Sequence, residues 1–113
     1  MSVSIHYPNN SKEIQTFISS SDICVIDFYA DWCGPCKKLS PYLEKYSKEF
    51  SNVEIVKVNV DDLNIDKIIL SSVEFSIRSL PTILFFKNGI YKDQIMGYNP
   101  DGIYTIIKNL SNE

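Results

Sequence analysis

The chain predicts an α/β fold, a central mixed sheet of about five strands flanked by four helices, and three observations carry that expectation. Strand-like and helical hydrophobic patterns alternate along most of the 113 residues. Cys24-Val25-Ile26-Asp27-Phe28-Tyr29 is almost continuously apolar and rich in branched or aromatic side chains, as a strand covered on both faces must be. Near the end, two strand-like runs flank Asn88-Gly89, a pair that tolerates positive φ and marks a tight hairpin.

Taken in order, Val3 to His6 is short strand material, followed by Ile14, Phe17 and Ile18 at helical spacing. Asn10 or Ser11 is placed to cap that helix, with Glu13 assisting from the first turn. Cys24 to Tyr29 is expected at the centre of the sheet. A second helix starts at Cys33 to Cys36 and carries Leu39, Leu43, Tyr46 and Phe50 along one side, with Tyr42 at the margin. Pro41 lies inside it, lacks a donor and crowds the preceding turn, so a bend near residues 37–41 is expected. Val53 to Val60 reads as the next strand. Asp61-Asp62 then leads into Ile65, Ile68, Ile69, Ser72 and Val73, whose spacing predicts a third helix ending near Phe75-Ser76. Thr82 to Phe86 and Ile90 to Met96 form the arms of the hairpin. Pro100-Asp101 opens a last helix that turns Ile103, Ile106, Ile107 and Leu110 inward. No internal repeat or long linker divides the chain, so residues 1–113 are expected to form one domain.

A hydrophobic fraction of 44% suffices for one core without metals or structural disulfides. Eleven Lys plus Arg against fourteen Asp plus Glu leave a net charge of −3, with the basic residues scattered apart from Lys37-Lys38. Nucleic acid and acidic membrane surfaces are therefore poor candidates for partners. No apolar stretch approaches the ~20 residues that span a bilayer. Met1 to Asn10 carries no basic segment or apolar core of a secretory signal, so a cytoplasmic location is expected. Three cysteines, two of them in one short motif, do not make a secreted disulfide framework, and in a reducing compartment the pair rests mostly as thiols.

The chemistry concentrates at Cys33-Gly34-Pro35-Cys36, preceded by Trp32, at a strand-to-helix turn. The spacing is compatible with a zinc half-site, a fixed bridge or a pair cycling between dithiol and disulfide. Zinc usually takes four ligands, whereas Cys24 falls inside a strand and His6 is the single histidine. Unpaired N–H groups and the positive helix end favour a thiolate at the first turn. Gly34-Pro35 keeps the turn short and leaves no bulk over the first sulfur. Asp27 stands out because a carboxylate within an apolar central strand is desolvated unless paired or protonated, and should titrate above a normal aspartate.

Val25 to Ala30 leading into Trp32-Cys33-Gly34-Pro35-Cys36-Lys37, then Pro41, Lys57, Ile77-Arg78-Ser79-Leu80-Pro81-Thr82 and Gly97, together resemble the thioredoxin family, in its Trp-Cys-Gly-Pro-Cys form, over almost the whole chain. The resemblance implies a thioredoxin-like fold and a thiol-disulfide oxidoreductase that reduces protein disulfides. Cys33 would be the exposed nucleophile and Cys36 the enclosed resolving thiol. Asp27 would be the buried proton donor and acceptor for Cys36, with Lys57 modulating its charge. It also implies a cis bond from Leu80 to Pro81, and a shallow apolar rim of Trp32, Gly34, Pro35, Leu80, Pro81, Gly97 and Tyr98 that binds client peptide. No bound cofactor and no metal are expected. The redox-active disulfide Cys33-Cys36 would be recharged by a thioredoxin reductase-like partner, the clients being disulfide-containing proteins and the chain a monomer. A dedicated electron donor to one client such as a peroxidase, or a binding subunit with secondary redox activity, are the competing readings. Two departures concern the segment Asp61 to Glu74, about one helical turn longer than the family's, and Ser76, where the family commonly has glycine.

Overall fold

The structure, a computed structural model, describes residues 4–113; Val3, part of the first expected strand, lies outside them. Its main sheet has five strands: β1 (Ile5–His6), β2 (Ile23–Tyr29), β3 (Val53–Asn59), β6 (Thr82–Lys87) and β7 (Ile90–Met96), in the order β1-β3-β2-β6-β7. β1, β3 and β2 run parallel, while β6 and β7 are antiparallel additions, so the sheet is mixed with β2 at its centre. The helices are α1 (Ser11–Ser20), α2 (Gly34–Glu49) and α3 (Pro100–Ser111).

Side-chain alternation along β2 builds two core layers. Cys24, Ile26 and Phe28 join Val56, Val58, Leu84 and Phe86 against Ile14 and Ile18 of α1. Ile23 and Val25 point the other way, with Ile55, Ile83 and Phe85, against Leu39 and Leu43 of α2 and Ile103 and Ile107 of α3. Asp27, by the same alternation, belongs to the α2 side.

Asn10 caps α1, its side chain accepting from Glu13 N–H at 2.9 Å, while the Glu13 carboxylate accepts from Asn9 N–H at 2.9 Å. α2 continues through Pro41, which leaves the Lys37 carbonyl without its usual helical donor. Asn88 and Gly89 take φ of 52° and 82°, as a two-residue hairpin between β6 and β7 requires. Lys87, nearly buried at the end of β6, donates to the Leu110 carbonyl at 2.9 Å and pairs with Asp22 at 3.4 Å, tying sheet and last helix together.

The expected third helix is absent, so three helices rather than four flank the sheet among the described residues. Its sequence forms an antiparallel pair, β4 (Lys67–Leu70) and β5 (Val73–Ser76), in a separate two-stranded sheet. Ile65, Ile68, Ile69, Ser72 and Val73 fit helical spacing, but Ile68 and Leu70 are buried while Ile69 between them is exposed, which is the period of a strand. Ser71 and Ser72 reverse the chain at φ of 50° and 66°. Ser71 is held by Gln15, whose Oε1 accepts its N–H at 2.7 Å, and by its own hydroxyl donating to the Gly89 carbonyl at 2.7 Å. Ile68, Leu70 and Phe75 close the core layer that α1 covers only in part.

Ser72 provides a test of this turn. Ser72→Gly is expected to raise stability by about 1 kcal/mol in urea unfolding, because glycine adopts positive φ without a Cβ penalty. In a helix the same change would cost about that much, so the sign separates the two structures.

Candidate active site

β2 ends at Tyr29, and the turn that follows delivers Cys33 as the N-cap of α2, its backbone extended at φ −85° and ψ 108°. Its sulfur accepts from Cys36 N–H at 3.2 Å, doing for the first turn what a capping oxygen does elsewhere. Pro35 in that turn gives up an N–H that has no helical partner in any case. Cys33 and Cys36 form the expected disulfide, with Cα atoms 5.3 Å apart. The other cysteine, Cys24, is fully buried; burial first, and then the Glu54 charge, push its thiol far up and keep it inert.

Cys33 is not the exposed member in this state, since it is 4% exposed and Cys36 5%. Bonded to each other, the two sulfurs pack with Ala30 under Tyr29, Val60 and Leu80. They differ instead in what they face. Cys33 lines a groove of 430 Å³ with Trp32, Gly34, Pro35 and Leu80, walled further by Val60, Ile65, Ile77, Arg78 and Ser79. Cys36 lines a separate cavity of 290 Å³ with Tyr29, Ala30, Asp31, Lys37, Ser40 and Lys57.

Trp32 stands over the groove, 71% exposed, and its Nε1 donates to Asp61 Oδ2 at 2.8 Å. Asp61 is itself placed by Asn59, whose side-chain oxygen accepts from Asp61 N–H at 3.0 Å and Asp62 N–H at 3.2 Å. Sequence reasoning missed both residues; the available signal was a polar residue ending an apolar strand, directly before Asp-Asp.

The Leu80–Pro81 bond is cis, as expected, and Leu80 lines the groove. Pro81 and Gly97 do not line it. Gly97, at φ 89°, instead donates its N–H to the Pro81 carbonyl at 2.8 Å, so it acts as a backbone tether. Tyr98 also lies outside the groove, edge-on to Tyr42 with ring centres 6.3 Å apart and with the Lys38 ammonium 5.4 Å from its ring centre.

Within β2, Asp27 is 1% exposed and its Oδ1 has no hydrogen-bond partner among the described residues. Burial pushes its carboxyl up to about 7 from an ordinary 3.8, against a smaller lowering by the Lys57 charge. Lys57 is the register neighbour of Asp27 on β3, as Ile83 is on β6. Its ammonium donates to Ser40 Oγ at 2.9 Å and lies 5.0 Å from the Tyr29 ring centre. The site therefore holds a helix-terminal sulfur pair, a groove beside Cys33, and beside Cys36 a cavity lined by a lysine whose register neighbour is a buried acid. Among the described residues, no group of three or more His, Cys, Asp or Glu side chains is placed to hold a metal ion. No helix there is long and apolar enough to cross a membrane.

The family model described as Thioredoxin matches residues 5–109. The thioredoxin of Mycoplasma genitalium is 42% identical over 89 residues, covering 79% of this chain and 82% of that protein. Thioredoxin-2 of Pyricularia oryzae is 31% identical over 105 residues, 93% of this chain, but the chain spans only 58% of that relative's length. Among solved structures, oxidized mitochondrial thioredoxin 3 of Saccharomyces cerevisiae superposes with a TM-score of 0.77 at 32% identity, covering 94% of this chain and 95% of that one. Sequence, fold and the Cys33–Cys36 disulfide agree: the chain belongs to the thioredoxin family and carries that family's thiol-disulfide oxidoreductase centre.

Proposed function

We propose that the chain is a general protein-disulfide reductase of the Trp-Cys-Gly-Pro-Cys type, a cytoplasmic monomer recharged by a thioredoxin reductase-like enzyme. The observation that carries the reading is the division of the sulfur pair between two openings, Cys33 toward the groove lined by Trp32 and Leu80 and Cys36 toward the cavity lined by Ser40 and Lys57. A client disulfide laid along the groove meets Cys33 first. Trp32 and Leu80 supply apolar contact around it, and the small Gly34-Pro35 turn leaves the sulfur approachable.

In the reduced protein, the N-terminal end of α2 stabilises a Cys33 thiolate. That thiolate attacks one client sulfur; the client S–S bond breaks, a Cys33–client bond forms and the first client thiolate leaves. Cys36 then gives its proton to the Asp27 carboxylate and attacks the Cys33 sulfur. The mixed disulfide breaks, the Cys33–Cys36 bond forms and the second client thiolate leaves. Two electrons pass from the protein dithiol to the client disulfide, and the two client thiolates take up the two protons released, the second from Asp27 by way of solvent. An acid titrating near neutrality is suited to both halves of that relay.

Cys36→Ser tests the order of events. With the resolving thiol removed, Cys33 is expected to hold clients as mixed disulfides, released by dithiothreitol and recovered from cell extract. Many different proteins should be recovered, and one dominant protein would mean a dedicated donor. An empty trap from folded protein would remove the nucleophile role from Cys33.

A further inference from the structure

Ser40 follows Cys36 by four residues in α2, so the two side chains share one helix face and one cavity. Its hydroxyl accepts from the Lys57 ammonium at 2.9 Å, and the Tyr29 ring centre lies 5.0 Å from the same cation. Asp27, directly across the β2–β3 register from Lys57, is left with an unpartnered buried oxygen, and no ion pair joins it to Lys57 among the described residues. Two neighbours of opposite charge in register on adjacent strands would ordinarily pair. Here the cation is diverted.

We infer that Ser40 is a positioning residue for the exchange reaction: its hydroxyl docks the Lys57 ammonium on the wall of the Cys36 cavity, apart from Asp27, and so leaves that acid free to take and return the resolving-cysteine proton. The inference rests on the role proposed above for Asp27. The charged and titratable groups that line this cavity are Lys57 from β3, Cys36 and Lys37 from α2, Tyr29 at the end of β2 and Asp31 just after it, while Tyr46 and Tyr104 lie farther along the same layer. β6 adds only apolar Ile83 opposite Asp27, and α3 packs there through Ile103 and Ile107. Lys57 is thus the cation whose placement sets the balance. Without the hydroxyl its three N–H donors lose their only side-chain acceptor among the described residues, and the Asp27 carboxylate becomes the best replacement across the strand pair. A cation brought closer favours the ionised acid.

Ser40→Ala is expected to lower the titration midpoint of Asp27, followed by its carboxyl carbon resonance, by about one pH unit, a tenfold change in proton affinity. The inflection in the pH–rate profile of mixed-disulfide resolution should move down with it. Ser40→Thr, which keeps the hydroxyl, should retain the wild-type midpoint. In a Lys57→Met background, Ser40→Ala should change nothing further. An unchanged or raised midpoint in Ser40→Ala, or a shift that persists without Lys57, overturns the inference. The proton role of Asp27 is tested separately: if Asp27→Asn resolves mixed disulfides at the wild-type rate, that role falls, while the titration experiment still reports whether Ser40 places the cation.

Discussion

Cys33→Ser is expected to lower catalysed reduction of insulin by dithiothreitol by at least about a thousandfold, to the uncatalysed background, the scale on which loss of a covalent nucleophile acts. A serine hydroxyl at the N-cap still accepts the Cys36 N–H, so the fold should survive and the loss should belong to the chemistry. Cys24→Ala serves as the control. That thiol is walled into the layer facing α1, away from both openings, so its removal should leave turnover within about twofold, beside a modest loss of stability from the lost volume. Residual turnover in Cys33→Ser comparable to wild type would mean that the sulfur facing the groove is not the one that attacks.

The second large effect is a gain of stability bought with activity. Asp27→Asn is expected to be more resistant to urea than the wild type at pH 8 and about equal to it at pH 4. An acid whose folded pKa is raised keeps its proton in the native state where the unfolded chain has lost it, so wild-type stability falls as the pH rises from near 3.8 to about 7 and is flat beyond. A carboxyl held about 3 pH units too high costs roughly 4 kcal/mol once ionised, an order-of-magnitude figure. Asparagine removes the charge but keeps a buried polar atom in need of a partner, so a gain of about 2 kcal/mol or more at pH 8 is expected. Resolution of mixed disulfides should slow by roughly ten- to a hundredfold, the weaker end of what a placed proton acceptor contributes. Equal stability differences at pH 4 and pH 8 would show that Asp27 does not titrate as an isolated buried acid.

Much of this was legible in the residues because local and tertiary preferences agree. The nearly continuous apolar run Ile23 to Tyr29 can be satisfied only in the middle of a sheet, Asn88-Gly89 admits few turns other than the one adopted, and Asn10 meets its helix as a cap should. Asp27 was conspicuous for the opposite reason, as a charge where neighbours forbid one. The segment 67–76 failed because Ile68, Ile69, Ser72 and Val73 satisfy helical spacing, while the alternation of β4 is hidden in residue type by apolar Ile69 on the outer face, and the choice is made by partners far away, Gln15 on α1 and the Gly89 carbonyl. Branched side chains at Ile68, Ile69 and Val73 were the overlooked local sign. The misjudged exposure of Cys33 has a similar origin: a disulfide brings its own cover, which depends on Val60 and Leu80 arriving from elsewhere in the chain. Ser40 carried no signal of its own, since a serine in a helix means little until the lysine that it receives is in view.

The strand order has a temporal consequence. Because β2 lies between β3 and β6, the centre draws on residues near 27, 36, 57 and 80, joined by pairings that span much of the chain. A nascent polypeptide made only as far as residue 60 already displays Cys33 and Cys36, yet lacks the Leu80 wall and the second flank of Asp27. Competent exchange thus waits until the residues around Leu80 and β6 have been made, and a chain not yet extended that far carries its reactive pair unarmed.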